Sequence, residues 1–591
     1  MTRGRGSSSA RRRSVAGVLE HRAVLVLVVL AVVGFSFRAG GIGRIGFAED
    51  EINKLNAVRA YEQGNMTQNA EHPMVMKALI FISVQAAEAW NKSAASIAPA
   101  LLRISDEAAL RLPNIIFGAL TIFPIFLLAE TFFGRRTALL AATLWATGLG
   151  AITYNRIAKE DTLLVFFMLF AFYFYIRAKR ASGFDPPAKR RNYILSGAAF
   201  GLMLASKYFP HYFGLNMLYH HFVRLREREP NEPRGSTPLI FYVAFLVTFL
   251  VVNPALLAPQ TWAYLNAYSS EQLLTHHGYL MGERLYDNVM SKTPFGATPV
   301  YFYVLYLAIK TPLPILAALC LGLVEIVRRR REPGHAFLLL MFVLWIVPYS
   351  LVGAKWLRYT LSLWPFIYII CAVGITALIR WCDALLKAGA GRAAYAPALL
   401  VRAAAVALFV FAPAWAAYKS MPHYALYMNA LAPHSAGYFF PHDEFYDDGL
   451  REALQYVAEH APQGATVAHE TPGVAAYYLE KFGRNDLRSR AISDPRFDAT
   501  RAADGPLYII LQRGRTYFEN RAEVEAVRAG AGGAQTLPPP GTDAAPGVEA
   551  FSLEHEVFVD GVSAAEVYVR ASGAPIRRAA SRTTLSQAGA L

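Results

Sequence analysis

The sequence predicts a polytopic α-helical membrane protein that also carries an α/β domain in water. Three observations predict it. Hydrophobic residues make up 54% of the 591 and charged residues only 17%, against about a quarter in soluble domains, and the mean hydropathy is +0.28. Apolar runs approaching the ~20 residues of a membrane helix recur along the chain. The positive charge, net +15, is gathered into short arginine clusters between those runs, which carries topology rather than a nucleic-acid surface. The 31 Tyr and 37 Phe exclude a disordered or fibrous chain. Cys320, Cys371 and Cys382 lie inside or just past apolar runs, so the water-exposed parts have no disulfide framework.

Eleven runs are candidate spans: 23–38, 112–132, 137–153, 162–177, 193–206, 208–223, 238–254, 299–327, 335–352, 360–380 and 398–417. Arg22 and Arg38 flank the first and can snorkel to the interface. Arg11–Arg13 ahead of this run resemble a signal peptide, but no small-x-small cleavage pattern follows. With the N-terminus in the cytoplasm, one side receives 26 Lys and Arg and the short connectors of the other side seven. The positive-inside rule then puts residues 1–22 in the cytoplasm and the C-terminus outside. The expected organisation is a membrane domain over 23–419, including a first outer loop at 39–111, an extracytoplasmic α/β domain over 420–572 and a disordered tail over 573–591. In the outer domain helix-like stretches (448–460, 472–482, 517–528) alternate with strand-like ones (465–469, 507–512, 548–558, 565–569). The stretch 529–547, rich in Gly, Ala and Pro, reads as a loop.

The first outer loop carries the chemistry. Residues 51–63 read as an amphipathic helix with Ile52, Leu55, Val58 and Tyr61 about three apart. Asp50 and Glu51 sit at its start, where the helix dipole favours negative charge; an acidic cap explains them as well as a catalytic role does. Glu71, His72 and Pro73 precede a very apolar helix, 74–90, suited to the membrane interface, which carries Lys77. Arg156 with Lys159, Lys207, and Lys355 with Arg358 stand at the outer ends of spans. Charges there mark a functional site or anchor the interface. Acid in the first loop together with cations on several outer ends describes a site for an anionic lipid headgroup beside a base.

At these residues the chain resembles the GT-C glycosyltransferases of the protein O-mannosyltransferase and aminoarabinose-transferase kind, the dolichyl-phosphate-mannose-protein mannosyltransferase superfamily (glycosyltransferase family 39 and relatives). The segments FAEDEINKLNAVRAYEQGN, EHPMVMKALI, YNRIAKEDTLLVFFMLFAFYF, GAAFGLMLASKYFP and KWLRYTLSLWPF carry the resemblance in the family's order across about 40–380. RLP before the second span adds to it. Glu71 before His72-Pro73 is similar to a Glu-Lys-Pro stretch with His in place of Lys. The resemblance implies the GT-C fold and a sugar on a polyprenyl phosphate, transferred on the extracytoplasmic side. It implies that Asp50 is the catalytic base. Glu51 and Glu71 are candidate further carboxylates, and i and i+1 on a helix do not face one way. Arg156, Lys207, Lys355 and Arg358, with Lys77 behind them, are candidates for the donor phosphate. His72 and Asp161 support the site; Asp161 either holds Arg156 or caps the fourth span. A lipid phosphate is already a weak base, so its departure needs electrostatic stabilisation more than a proton. The acceptor hydroxyl needs a positioned base.

No P-loop or dinucleotide fingerprint is present. No cofactor is required by this reading; a divalent metal stays open, and His276-His277 are its weak candidates, since adjacent histidines in a loop chelate poorly. The ring-rich stretch 423–449 either stacks on sugar or docks the outer domain on the membrane face, and docking is the better reading. Tyr301, Tyr303 and Tyr306 read as an interfacial aromatic belt. The Ala/Arg-rich composition looks bacterial, so the expected location is the inner (cytoplasmic) membrane with a periplasmic domain. The expected partners are the lipid-linked sugar, an acceptor protein, lipid or glycan, and membrane lipids, without nucleic acid. A transporter would carry ionisable residues at mid-membrane and broken helices in repeated halves. That reading and a non-catalytic envelope protein are the alternatives. Neither the sugar nor the acceptor is legible.

Overall fold

The computed structural model describes residues 6–94, 103–181, 186–208, 237–269, 277–290, 292, 296–390, 395–499, 506–533, 551–570 and 581–585. Among them six helices are long and apolar enough to cross a bilayer: Arg22–Arg44, Asp106–Phe133, Asp161–Arg180, Pro333–Leu351, Trp364–Ala388 and Ala396–Lys419. The pair Arg135–Thr147 and Leu149–Asn155, bent by 52°, makes a seventh if it is one span. The expectation of eleven is therefore corrected to six or seven. Four runs account for the difference. Helix Pro186–Ser206 spends its first turns on Lys189, Arg190 and Arg191. Leu239–Val251 has only 13 residues. The run 299–327 is broken at Thr311-Pro312 into helices of 9 and 16 residues, because proline cannot donate to the ladder. The run 208–223 lies outside the described residues apart from Tyr208.

Close backbone approach organises the bundle. A Cβ on Gly150 would lie 2.0 Å from the Trp364 ring, and one on Gly322 would lie 2.1 Å from the Ile370 carbonyl. Helices Leu313–Arg328 and Trp364–Ala390 thus touch at Gly322 and Gly374, as small residues allow in membranes. Arg38 does not snorkel. It is fully buried and donates to Asn155 Oδ1 at 2.9 Å and to the carbonyls of Gly34, Ala146 and Trp145 at 2.9–3.2 Å. The last two are carbonyls freed near the bend at Gly148, and a buried arginine meets them.

The chain is a multi-pass membrane protein with a large C-terminal extracytoplasmic domain. That domain holds a six-stranded mixed sheet in the order β4-β3-β5-β7-β6-β8, from β3 (Thr466–His469), β4 (Arg488–Ala491), β5 (Leu507–Gln512), β6 (Phe551–Val559), β7 (Val562–Arg570) and β8 (Ser581–Leu585). β3 pairs in parallel with β4 and β5, and β7 antiparallel with β5 and β6. β5 is buried throughout, which fits a central strand. β8 corrects the expectation of a disordered tail from 573. It pairs in parallel with β6, Asp560 N donates to the Leu585 carbonyl at 2.9 Å, and His555 Nδ1 lies 2.6 Å from Ser581 Oγ. β4 and the small hairpin β1 (Tyr279–Met281) with β2 (Arg284–Tyr286) also lacked an alternating apolar pattern in the sequence. Helices Leu450–His460 and Pro472–Lys481 share an apolar core with helix Glu49–Glu62, so the outer domain and the first loop pack as neighbours.

Candidate functional site

After the first span the chain makes a short turn at Ile42–Arg44 and enters helix Glu49–Glu62. Glu51 builds the entry. Its carboxylate accepts from Ala48 N at 3.1 Å, from Ala158 N at 2.9 Å, and from Arg111 Nε and Nη2 at 2.8 and 2.5 Å. Arg111 also donates to the carbonyls of Ile42, Ile45 and Gly46 at 2.6–3.0 Å. Both side chains are almost fully buried. Glu51 therefore braces the turn that delivers Asp50, and Asp50, one residue earlier, faces elsewhere.

Asp50 is the centre of a cationic cleft. Its Oδ2 lies 2.6 Å from Lys159 Nζ and 3.8 Å from Arg358 Nη1, and it accepts a hydrogen bond from the Tyr446 hydroxyl. All three contacts fall on Oδ2; Oδ1 has no partner among the described residues. A third of the side chain is exposed. Burial pushes the Asp50 carboxyl up, but Lys159, Arg358 and Lys54 outweigh it and hold it well below the usual carboxylate range. Burial drives Lys159 down to about 8, with Asp50 resisting and Lys54 and Arg358 adding to the fall.

The cations form a ring. Lys54 pairs with Glu160 at 2.9 Å, and His72 Nδ1 lies 3.7 Å from the same carboxylate. Burial holds His72 well below the ordinary imidazole range against the pull of Glu160, so it is neutral at pH 7. Lys207 pairs with Asp161 at 2.6 Å. Lys207 Nζ stands 4.9 Å over the Tyr359 ring, and the Arg358 guanidinium stands 5.0 and 5.7 Å over Trp356 and Tyr359. Tyr359 thus sits between two cations and orients both.

Of the residues expected from sequence, Asp50, Arg358, Lys207, Asp161 and His72 come together here. The others do different work. Arg156 Nη1 donates to the carbonyls of Arg38 and Gly40, both at 2.6 Å, and the guanidinium lies over Tyr424; it is not held by Asp161. Lys355 is buried and donates to the carbonyls of Thr298 at 2.8 Å and Val352 at 2.5 Å. Lys77 donates to the carbonyls of Gln68, Asn69 and His72 at 2.6–3.2 Å. Glu71 accepts from the Asn69 side chain, and burial together with the Glu71 charge raises the Tyr264 hydroxyl. Sequence reasoning missed Lys159 as the partner of Asp50, although Lys159-Glu160-Asp161 ahead of an apolar span is a visible cluster. It missed Lys54, one helical turn after Asp50. It missed Tyr446, which lies inside the stretch read as a docking surface.

Among the described residues no group of three or more His, Cys, Asp or Glu could hold a metal. The charges flanking Asp50 are cations, so this donor set does not fit a divalent ion. His276 lies outside the described residues; His277 pairs with Glu519 at 3.0 Å.

Residues 94–262 match the family model described as dolichyl-phosphate-mannose-protein mannosyltransferase. None of the curated protein sequences matches the chain. Among solved structures, ArnT from Cupriavidus metallidurans in the apo state is similar with a TM-score of 0.50 at 13% identity, covering 93% of this chain and 98% of that one. The same protein bound to undecaprenyl phosphate gives 0.47 at 13%, with the same coverage. The oligosaccharyltransferase AglB from Archaeoglobus fulgidus, in complex with an inhibitory peptide and a dolichol-phosphate, gives 0.46 at 12%, covering 83% of this chain and 69% of that one. Family model and fold agree on the class, a multi-pass membrane protein. The family model covers less than a third of the chain, and at 13% identity the likeness to ArnT is one of fold.

Proposed function

We propose that the chain transfers a hexose or pentose from a polyprenyl-phosphate donor to a hydroxyl of a protein, lipid or glycan acceptor, on the extracytoplasmic face of the inner membrane. The observation that carries this reading is the asymmetry of Asp50: Oδ2 is anchored by Lys159, Arg358 and Tyr446, and Oδ1 is without a partner among the described residues. The donor phosphate binds Arg358 and Lys207, whose heads both contact the Tyr359 ring. The acceptor oxygen attacks the anomeric carbon, and the carbon–oxygen bond to phosphate breaks with its electron pair going to the phosphate. The acceptor proton passes to Asp50 Oδ1. Arg358 and Lys207 stabilise the departing phosphate, which needs no proton.

A carboxylate held far below its ordinary pKa is a weak base. The arriving phosphate corrects this by competing for Arg358, so the proton affinity of Asp50 rises when the donor is bound. Lys355 and Lys77 keep supporting roles, because their ammonium groups already serve backbone carbonyls, and Arg156 spends its Nη1 on the carbonyls of Arg38 and Gly40. Glu51 positions Asp50 through the helix start, and Glu71 is held by the Asn69 side chain.

The experiment is turnover by the unaltered protein in lipid nanodiscs, given a panel of labelled polyprenyl-phosphate sugars and an envelope extract. Label passing to an acceptor with release of polyprenyl phosphate, lost in Arg358→Ala, supports the proposal. Arg358→Ala transferring at the unaltered rate contradicts it.

A further inference from the structure

The short segment Pro441–Asp448 of the C-terminal region touches both limbs of the cleft. It starts as a five-residue helix, Pro441–Phe445, and then turns through two non-glycine residues in left-handed backbone, Tyr446 at φ 46° and Asp447 at φ 69°. Such conformations persist only where surrounding structure over-determines them. Here it does. The Asp447 carboxylate is fully buried and accepts from Arg515 Nε at 2.6 Å and from Gln512 at 3.0 Å, both from β5 and the turn after it. It also accepts from Glu49 N at 2.9 Å, at the first residue of the helix that bears Asp50. Arg515 closes the loop by donating to Glu49 Oε2 at 2.7 Å. Tyr446, set by this turn, gives its hydroxyl to Asp50 Oδ2.

The same segment reaches the phosphate limb. Asp443 Oδ1 accepts from Leu357 N at 3.0 Å, directly before Arg358, while its Oδ2 accepts from the Tyr279 hydroxyl at 2.5 Å. His442 lies against Trp356, ring centroids 4.8 Å apart, and Trp356 is a ring that the Arg358 guanidinium covers. One turn therefore touches the carboxylate through Tyr446 and the backbone directly before the arginine through Asp443.

We infer that Tyr446 and Asp443 are positioning residues which fix the separation of Asp50 and Arg358, so that the C-terminal domain completes the transfer site. This rests on the proposed glycosyl transfer. Tyr446 selects which oxygen of Asp50 is anchored and so leaves Oδ1 for the acceptor. Asp443 sets the backbone from which Arg358 meets the phosphate. Neither touches the reacting atoms.

Two single-site variants in nanodiscs test it. Tyr446→Phe removes one oxygen; kcat is expected to fall roughly ten- to a hundredfold, with KM for the lipid-phosphate sugar within about twofold. Asp443→Asn is expected to raise that KM by about fivefold or more with a smaller change in kcat. A merely structural role would move both constants, or neither, in both variants. Hydrogen exchange reads the positioning without turnover: amides at 49–52 open faster by about threefold or more in Tyr446→Phe, and those at 357–360 do so in Asp443→Asn. Unaltered kcat in Tyr446→Phe overturns the inference, as does unchanged exchange in both variants. No transfer by the unaltered protein overturns the functional reading instead, and the exchange result then decides the positioning alone.

Discussion

Asp50 and Glu51 are neighbours in sequence with opposite duties. Glu51 is sealed against Arg111 and two backbone amides, and Asp50 opens to a cleft of cations. Glu51→Gln breaks a buried pair, so thermal unfolding of the purified protein is expected to show a loss of about 3–5 kcal/mol. Lys159 supplies a pH signature. Its ammonium is pushed down to about 8 by burial, and it is charged only below that value. As pH rises through about 8 the anchor of Asp50 Oδ2 is lost, so kcat/KM is expected to fall on that side; Lys159→Arg moves the fall to higher pH, because an arginine stays charged. An unchanged profile in Lys159→Arg contradicts the anchoring role. The acid pair was legible in the sequence because two carboxylates open a helix directly after an apolar span. Their division of labour was legible only as a rule that adjacent helical residues face apart. The cations were harder. Arg156, Lys355 and Arg358 look alike as charges at span ends, and what separates them is whether backbone carbonyls lie within reach, as they do for Arg156 and Lys355.

Helices and strands show the same divide. The helix bearing Asp50 and the strands β3, β5, β6 and β7 follow from hydrophobic period. The span count did not, because an apolar run measures composition while a span needs an unbroken helix; Thr311-Pro312 and the basic first turns of Pro186–Ser206 break that link. The glycine contact at Gly322 makes an element-scale prediction. Gly322→Leu drives a side chain into the Ile370 carbonyl, and the melting temperature in detergent is expected to drop by the equivalent of about 1–3 kcal/mol. The connection from the last span to the outer domain carries a titrating pair, His423 Nδ1 with Asp448 Oδ2 at 2.5 Å. Burial lowers the imidazole, but Asp448 more than compensates and its pKa is raised. Its stabilisation is therefore complete below the ordinary imidazole range and is lost as pH rises through the folded value. Melting curves of the unaltered protein are expected to show that loss, and His423→Gln to remove it.

On the scale of the whole molecule, the first loop and the C-terminal domain close over one cleft. The ring-rich stretch 423–449 reaches the first loop, where the Tyr446 hydroxyl donates to Asp50. Sequence could show its aromatic richness but not that contact, because residues 50 and 446 are joined only through the folded outer domain. The orientation proposed here has a direct check. Gln63→Cys and Gln455→Cys, both exposed, are expected to react with an impermeant maleimide on intact cells, and Arg136→Cys only after the cells are opened. The reverse pattern would invert the topology.

Single-turnover transfer from a labelled polyprenyl-phosphate sugar by Asp50→Asn tests the central claim most directly. The account predicts a fall of roughly 10²–10⁴-fold in the transfer rate, with polyprenyl phosphate still bound. Transfer by Asp50→Asn at the rate of the unaltered protein would contradict it.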